Sequence, residues 1–508
     1  MDEPLLVVGA GAAGAVIAAR VTERSASRVR LLESGPDYAP EALPKDLADG
    51  RRNAMTSHDF GYRHRPTTVQ TLFPLPRGRV VGGSTAVNTC IAVRGHPSDY
   101  DEWASRGLRD WAWDQCLPAF ARLERDLDFG DAPYHGKDGP LPVRRHPASE
   151  LRPWSAAFLE ACAELGSAPC ADANAPGSEG HGPHAMNKID GRRISAAEAW
   201  LTSAVRARPN FSLEPDTHVR RVLFQGRKVS GVEIERRGAI ETIPSRKVVL
   251  AGGVVGTLGI LLRSGVGPRV EIERLGVELV ADVPAIGAQL LDHPGTAIVL
   301  VPHRWGTSSV DDPLIQVVYR YASDVGPRFR HADMQMQVGN CFPTPWLSVP
   351  CVTVMAHVGK PRGHGRIRFP SAHPHARPRV DSLLLDDPQD RAKAVEAMER
   401  AGLLVTTKVM RELARCVWPG EHVLARRSRI DAWIRKSCDS GYHLCGTVPM
   451  GADDDPRAAT DGHGRVRGVE GLLVADGSLM PTVPTGNTNL PTLMIGERFG
   501  AWLRDGVV

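Results

Sequence analysis

The N-terminal residues alternate between apolar runs and small residues in a pattern typical of a β-α-β unit. An apolar run that begins at about Leu5 turns through glycines into an alanine-rich, helix-like segment, and a second, mostly apolar run, Val29–Leu32, follows. Short apolar runs of this kind are typical of buried parallel strands, which need a crossover connection between them. We therefore predict that the chain opens as an α/β fold.

The turn after the first predicted strand has the glycine spacing of a dinucleotide-binding site. Two glycines allow a sharp turn that aims the amides of the helix N-terminus at a pyrophosphate, and a third allows the helix to pack closely on the strand. An acidic residue at the end of the next strand can bind ribose hydroxyls. The predicted contacts of the dinucleotide are Gly9, Gly11, Ala12, Ala13, Gly14 and Glu33. These residues alone do not decide between NAD and FAD.

Farther along the chain, the strand and helix patterns separate into two groups. The apolar run Val248–Leu250 reads as another buried strand, and we expect the helix after it to end at about Arg263. Residues 294–434 change to alternating strands, followed by a helix predicted from Pro388 to about Met410. Because nucleotide-type motifs then resume, we predict a second domain inserted into the first.

Composition and charge are those of an ordinary globular protein. Of the 508 residues, 42% are hydrophobic and 24% are charged, and the formal net charge is only +4. Basic and acidic residues are interspersed, without the block of like charge that a nucleic-acid or membrane surface would show. No apolar run approaches the roughly 20 residues of a membrane helix. We expect neither nucleic acid nor a membrane as a partner.

The nine cysteines carry no pattern of a disulfide framework or a zinc site. Their number is odd, their spacing is irregular and no C-x-x-C occurs. The first predicted strand begins so close to Met1 that no secretory signal fits before it. We therefore expect no metal site and a reducing, cytoplasmic location.

Several motifs resemble those of the glucose–methanol–choline (GMC) oxidoreductase family. Residues 78–101 are similar to the first family signature, and residues 253–267 resemble the second, although Val254 and Leu258 stand where small residues or proline are usual. Within the family, residues 124–140 and 483–492 are most similar to hydroxymethylfurfural oxidases and related aryl-alcohol-type enzymes. Supporting matches run along the whole chain: Gly191–Leu201, Asp292–Pro294 and Val474–Pro481.

The resemblance implies an α/β architecture in which a doubly wound, Rossmann-type FAD-binding domain carries an inserted substrate domain of antiparallel sheet and helices. The expected FAD-binding segments are residues 1–150, 191–293 and 437–508, and the expected substrate-domain segments are residues 151–190 and 294–436.

The resemblance also implies FAD as the cofactor, with its ADP half on the first glycine turn. Further expected contacts of FAD are Gly82, Gly83, Asn88, Val219, Asp476 and Thr488. In some relatives a histidine directly before the signature asparagine bonds covalently to the flavin. Here that position is Val87, which has no nucleophile, so we predict non-covalent FAD.

Two residues match the catalytic positions of the family. Hydride transfer from an alcohol to flavin N5 needs a base for the hydroxyl proton and a donor for the developing alkoxide. The resemblance assigns the base to His443, whose imidazole titrates near neutral pH, and the donor to Asn487, which cannot act as a base. We interpret His293 as a structural residue of its turn, and Cys445 as a small buried residue.

The expected substrate pocket includes three residues that alignment with hydroxymethylfurfural oxidase-like enzymes picks out. Met355 and His357 fall where apolar or aromatic residues line the cavity, and Tyr442 replaces a tryptophan. The Tyr442 hydroxyl and the His357 ring would offer polar contacts, so we hypothesise a substrate with a polar group beyond the reacting alcohol. The alternative is that His357 points away from the cavity.

The resulting expectation is an FAD-dependent oxidation of a primary, aryl, furanic or similarly activated alcohol to an aldehyde, with dioxygen as the acceptor. A dehydrogenase that uses a quinone or protein acceptor is the first alternative. A hydroxynitrile-lyase-type relative, an NAD-dependent dehydrogenase and a non-enzymatic flavin-binding protein are the others. The sequence leaves the physiological substrate and the oligomeric state open.

Overall fold

A five-stranded parallel sheet forms the centre of the nucleotide-binding part of the molecule. A computed structural model of the chain describes residues 3–54, 56–304, 307–309, 311–326, 331–343 and 348–508. Each neighbouring pair of strands in this sheet runs parallel. In spatial order the strands are Phe211–Glu214, Val29–Leu32, Leu5–Val8, Val248–Leu250 and Leu472–Val474. The predicted β-α-β unit and Rossmann-type sheet are confirmed.

The first helix, Ala12–Val21, is buried almost throughout because small residues let its neighbours approach. It packs against the C-terminal helix Asn489–Asp505. At this contact Gly496 is required: a Cβ added there would lie 2.8 Å from the Cα of Ala13. Close packing fixes both helices relative to the first glycine turn.

A second, seven-stranded sheet lies in the inserted part of the chain. Its strand pairs are all antiparallel. The main path runs Ala414–Trp418, Pro294–Pro302, Ser348–Val358, Met334–Pro343, Val317–Tyr321 and Gly180–Pro183, and Asp439–Ser440 pairs with Pro294–Pro302. The helices Pro153–Glu164 and Pro388–Val405 cover it, as the predicted sheet-and-helix substrate domain requires.

The two faces of this sheet differ in chemistry. Met334, Met336 and Val338 belong to the hydrophobic core that the sheet shares with its covering helices. The alternate residues Gln335 and Gln337 are equally buried but point to the other face, because successive side chains of a strand alternate. The sheet therefore has an apolar face toward the helices and a polar face toward the parallel-sheet domain.

Smaller elements complete the fold. One three-stranded antiparallel sheet comprises Thr217–Gln225, Lys228–Arg236 and Ala239–Pro244, and a four-stranded sheet comprises Arg366–Arg368, Arg379–Asp381, Arg63–Arg65 and Phe73–Pro74. Three strand pairs are Val266–Gly267 with Ala281–Asp282, Glu124–Asp126 with Leu141–Val143, and Lys188–Ile189 with Arg192–Arg193. The other helices are Lys45–Ala48, Pro97–Ser105, Trp113–Leu123, Ala196–Trp200, Ser203–Arg206, Gly253–Arg263, Arg269–Arg274, Lys408–Leu413, Glu421–Leu424 and Arg427–Ser437. Among the described residues, every helix is too short or too polar to cross a membrane.

One predicted helix end matches the structure and one does not. The helix after Val248–Leu250 ends at Arg263, as predicted. The helix from Pro388 ends earlier than predicted, at Val405, and a separate helix begins after Thr407. The domain boundaries stay a prediction, and the chain crosses them at residues 366–381, where the strand Arg379–Asp381 pairs with Arg63–Arg65 in the N-terminal segment.

Candidate active site

Two glycine turns from distant parts of the chain touch each other at the end of the parallel sheet. The amide of Gly82 donates to the carbonyl of Ala10 at 2.8 Å, and a Cβ on Gly83 would lie 2.8 Å from the Cα of Gly11. Gly9 and Gly83 have φ values of +100° and +55°, which side chains disfavour. The turns therefore form a cradle of bare backbone, as a pyrophosphate requires.

The helix behind the first turn leaves its N-terminus open toward this cradle. Within the described residues, no side chain caps Ala12–Val21, and its first turn has no acid. The free amides carry the positive end of the helix dipole, which favours an anion. The predicted residues Gly9, Gly11, Ala12, Ala13 and Gly14 all lie on this turn or on the first turn of the helix.

Glu33 closes the same end of the sheet. Its carboxylate accepts from the backbone amides of Ala10 at 2.9 Å and Gly35 at 2.8 Å. Burial raises the pKa of Glu33, although these hydrogen bonds oppose the shift. A carboxylate anchored to the first glycine turn is positioned to meet a ribose bound beside it.

The other predicted cofactor contacts differ in burial and in the hydrogen bonds that their side chains already make. Asn88 accepts from the amide of Cys90 at 2.9 Å, and Val219 is buried beside a bulge in its strand. The Asp476 carboxylate accepts from the Gly253 amide at 2.8 Å and the Thr257 hydroxyl at 2.6 Å, and it also binds Ser478. These bonds tie Asp476 to the N-terminal turn of helix Gly253–Arg263.

The C-terminal helix presents a second open N-terminus, directly after the Asn487 loop. Thr488 precedes Asn489–Asp505 without a side-chain cap among the residues that the structure describes. There too, Oδ1 of Asn487 and Nδ2 of Asn489 are buried and have no hydrogen-bond partner. Orphaned buried polar atoms are destabilising unless a ligand or water pairs with them. The residues thus suit a long ligand with hydrogen-bonding ring atoms, such as FAD.

Three side chains form a hydrogen-bonded chain in front of this helix. Nδ2 of Asn487 lies 2.7 Å from Nε2 of His443, and Nδ1 of His443 lies 2.9 Å from Nδ1 of His293. Nε2 of His293 lies 2.9 Å from the carbonyl oxygen of Pro484. The structure therefore joins the two predicted catalytic residues directly. His293, which we interpret as a structural residue of its turn, also contacts His443.

The backbone around His443 is held in a strained turn. Tyr442 has a φ of +62°, which is unusual for a bulky residue, and its carbonyl accepts from the Arg77 guanidinium at 3.0 Å. Oδ1 of Asp292 accepts from the amides of both His293 and His443, at 2.8 and 2.9 Å. Strain of this kind persists only where surrounding contacts over-determine the conformation, and it clusters at functional sites.

The environment keeps His443 neutral. Burial is the main reason that the pKa of His443 lies well below its ordinary value, and the neighbouring His293, His357 and Arg77 lower it further. Burial likewise lowers the pKa of His293 and of His357 to about 4. Imidazoles that are unprotonated at neutral pH can accept a proton.

The polar face of the antiparallel sheet lies near the two hydrogen-bonded histidines, and His357 on this face lowers the pKa of both. His357 pairs across the strands with Gly295 and Gln335, and Met355 pairs with Gln337. Nε2 of His184 lies 3.0 Å from Oε1 of Gln337. In the described part of the chain, Nδ1 of His357 and Nδ1 of His184 are buried without partners. The sequence pointed to Met355 and His357 but missed His184, Gln335 and Gln337, although the alternation M-Q-M-Q contained the signal.

A buried ion pair holds the loop that precedes Asn487. Nζ of Lys360 lies 2.9 Å from Oδ1 of Asp99 and 3.0 Å from the carbonyl of Val483. The other carboxylate oxygen of Asp99 accepts from the amide of Thr485 at 2.8 Å. These contacts fix the Pro484 carbonyl that His293 binds.

A second buried ionic cluster lies away from this site. His135 has one ring nitrogen 2.6 Å from Glu124 and the other 2.9 Å from Asp172. Arg94 pairs with Glu124, and Arg145 pairs with both Asp126 and Asp172. Because carboxylates only accept hydrogen bonds, these contacts favour the doubly protonated ring of His135 and raise its pKa against the effect of burial, although the Arg94 guanidinium also lies 3.0 Å from Nδ1. Three cations then balance three anions, so the arginines and His135 already compensate the carboxylates that a metal would need.

A two-turn dinucleotide cradle beside a buried neutral histidine is the arrangement that a dinucleotide-dependent oxidoreductase needs. Two family models described as GMC oxidoreductase match residues 4–295 and 361–496. The chain belongs to the GMC oxidoreductase family, whose members bind FAD, and it is an enzyme of that family.

Relatives of similar length support this membership. A 5-(hydroxymethyl)furfural oxidase from Methylovorus sp. (strain MP688) is 32% identical, over 97% of this chain and 97% of that protein. The mitochondrial choline dehydrogenase of Homo sapiens is 34% identical, over 97% of this chain and 88% of that protein. The crystal structure of a pyridoxine 4-oxidase from Mesorbium loti superposes with a TM-score of 0.90 at 29% identity, covering 98% of this chain and 99% of that one.

Proposed function

We propose that the chain oxidises a primary alcohol, activated by an adjacent aryl, furanic or similar group, to an aldehyde with FAD and dioxygen. The observation that carries the proposal is the pair His443–Asn487, joined at 2.7 Å beside the open helix N-terminus. The relatives named above are oxidases and a dehydrogenase. No other pair of described residues combines a neutral base with an amide donor at this place.

The two residues have different roles in this proposal. Nε2 of His443 takes the hydroxyl proton, because this nitrogen faces the amide that would hold the substrate oxygen. Nδ2 of Asn487 then donates to the oxygen as negative charge develops, which stabilises it in the transition state. Bound FAD supplies the acceptor for the two electrons that leave the carbinol carbon as hydride.

The polar face of the antiparallel sheet favours a substrate with a hydrogen-bonding group away from the reacting alcohol. Nδ1 of His357 and Nδ1 of His184 are orphaned, and an apolar substrate would leave them so. Each unpaired buried polar group is destabilising by about 1–3 kcal/mol, which penalises substrates without a matching group. The proposed pocket residues are therefore Met355, His357 and Tyr442, together with His184 and Gln337.

FAD is proposed to be held without a covalent bond. Val87 is buried and has no nucleophilic atom. The proposed division of the chain remains FAD-binding for residues 1–150, 191–293 and 437–508 and substrate-binding for residues 151–190 and 294–436, with residues 366–381 shared between them. The proposed cofactor contacts are Gly9, Gly11, Ala12, Ala13, Gly14, Glu33, Gly82, Gly83, Asn88, Val219, Asp476 and Thr488.

The test is an anaerobic visible spectrum of the purified holoenzyme, titrated with aryl, furanic, pyridine-type and aliphatic alcohols. Bleaching by one class, with recovery and peroxide formation on admitting air, supports the oxidase and names the substrate class. Bleaching that air leaves unchanged and a quinone reverses replaces dioxygen with another acceptor. A flavin spectrum that no alcohol bleaches contradicts the oxidation and favours a lyase-type relative.

A further inference from the structure

We propose that His293 is a positioning residue, which holds His443 in the one tautomer that can take a proton from the substrate. The proposal rests on the proposed function of His443 as the base. It concerns a contact between side chains 150 positions apart, and it assigns His293 a role that its turn alone does not explain.

The argument begins at the Pro484 carbonyl, which can only accept a hydrogen bond. Nε2 of His293 lies 2.9 Å from it and must therefore carry a proton. A neutral imidazole carries one proton, so Nδ1 of His293 is an acceptor. Nδ1 of His443, 2.9 Å away, must then be the donor.

The same reasoning fixes the reactive nitrogen. With its only proton on Nδ1, neutral His443 has a lone pair on Nε2. The Asn487 amide, 2.7 Å away, accordingly presents Nδ2 rather than Oδ1 to this nitrogen. The unpaired Oδ1 of Asn487 agrees with this orientation. A single direction of donation thus runs from Asn487 through both histidines to Pro484.

Neighbouring residues hold the hydrogen-bonded series from Asn487 to Pro484 in a fixed geometry. Oδ1 of Asp292 binds both histidine amides, and the ion pair of Lys360 and Asp99 holds the residues on either side of Pro484. Without an acceptor at residue 293, no hydrogen bond among the described residues would keep the proton of His443 on Nδ1. The proton could then move to Nε2, where the Asn487 amide could rotate to accept it. The charged and titratable groups that face the two histidines are His357, Arg77, Asp292, Asp99 and Lys360.

Two matched variants separate positioning from structural support. In His293→Asn the side-chain oxygen stands near the position of Nδ1 and can still accept from His443, while the bond to Pro484 is lost. In His293→Gln the amide reaches the position of Nε2 and can still donate to Pro484, while the acceptor for His443 is lost. If His293 only supported the fold through its bond to Pro484, His293→Asn would be the more impaired variant.

The tautomer is read by nitrogen-15 NMR of histidine-labelled holoenzyme, and its effect by anaerobic flavin reduction. We expect Nε2 of His443 to be unprotonated in the wild type and in His293→Asn, and protonated in His293→Gln. Flavin reduction should fall about 100-fold in His293→Gln, as for loss of a general base, with a much smaller change in His293→Asn and little change in KM.

Each other outcome has a distinct meaning. An unprotonated Nε2 in His293→Gln, or a loss of rate in His293→Asn that equals or exceeds the loss in His293→Gln, overturns the positioning role. A variant that does not retain flavin is replaced by His293→Ser, supplemented with imidazole, whose restoration of rate supports the role and whose failure opposes it. If His443→Gln reduces flavin at the wild-type rate, the proposed base is wrong, but the NMR result on the tautomer still stands.

Discussion

Replacing Asn487 with aspartate should keep His443 protonated at neutral pH, so that it cannot take the substrate proton, without changing the shape of the site. The amide nitrogen lies 2.7 Å from Nε2 of His443, so a carboxylate in its place would stand against the imidazole. Unit charges about 4 Å apart interact by about 4 kcal/mol at an effective dielectric constant of about 20. This corresponds to about 3 pKa units in favour of the imidazolium, reduced by the desolvation of the new carboxylate.

The direction in which the pKa of His443 changes in Asn487→Asp follows from the wild-type environment. Burial, His293, His357 and Arg77 keep the pKa of His443 well below its ordinary value, so the wild-type base is free at neutral pH. A nearby anion raises that pKa, so the proton is retained to higher pH. In Asn487→Asp the acid limb of the pH profile of flavin reduction should therefore move up by about 2–3 units.

The assay is anaerobic stopped-flow reduction with the best alcohol of the panel, from pH 5 to 10. Asn487→Ala is the matched control, because it removes the donor without adding charge. The alanine variant should lower the plateau but leave the acid limb in place. An acid limb that stays within half a unit of wild type in Asn487→Asp would refute the assignment of His443 as the titrating base.

Three further predictions concern the cofactor, the pocket and stability. Gly83→Ala should lower the flavin content of the purified protein severalfold, since a Cβ would meet Gly11 at 2.8 Å in a backbone with φ of +55°; the absorbance ratio of flavin to protein measures this. His357→Phe should reduce kcat/KM about 10-fold for alcohols with a second polar group and leave apolar ones unchanged, and an unchanged ranking would rule out the polar contact. The raised pKa of His135 adds stability that is complete below about pH 6.5 and is lost as pH rises through the folded-state value. Thermal midpoints should therefore fall on the alkaline side in the wild type, and His135→Gln should lack this part of the pH dependence.

The nucleotide-binding fold was predictable because its signals are local. The glycine turn at Gly9–Gly14, the apolar strands and Glu33 follow one another within a short stretch, and each has one physical interpretation. The helix after Val248–Leu250 ended at Arg263 as expected. The helix from Pro388 was predicted too long, because apolar periodicity continues through Thr406 and Thr407, where the backbone starts a new helix.

The candidate site was predictable only in part because its contacts are long-range. The sequence indicated His443 and Asn487 through family motifs, but their contact joins residues 44 positions apart. The position of His293 against His443 depends on the pairing of Pro294 with Ser440 in the second sheet, a long-range contact that no local pattern encodes. Gln335 and Gln337 were hidden because a polar residue in alternation normally indicates a solvent-facing side of a sheet, whereas here both faces are buried.

The two-faced sheet places the proposed substrate contacts and the packing that maintains the fold on opposite sides. Positions such as 335, 337 and 357 can exchange without disturbing the packing between Met336, Val338 and the covering helices, because alternate residues of a strand share no face. A library confined to the polar face should therefore yield mostly folded, flavin-loaded variants with altered selectivity. The same substitutions at the alternate positions, such as Met334, Met336 and Val338, would mainly produce unstable proteins because these side chains pack in the core beneath the helices.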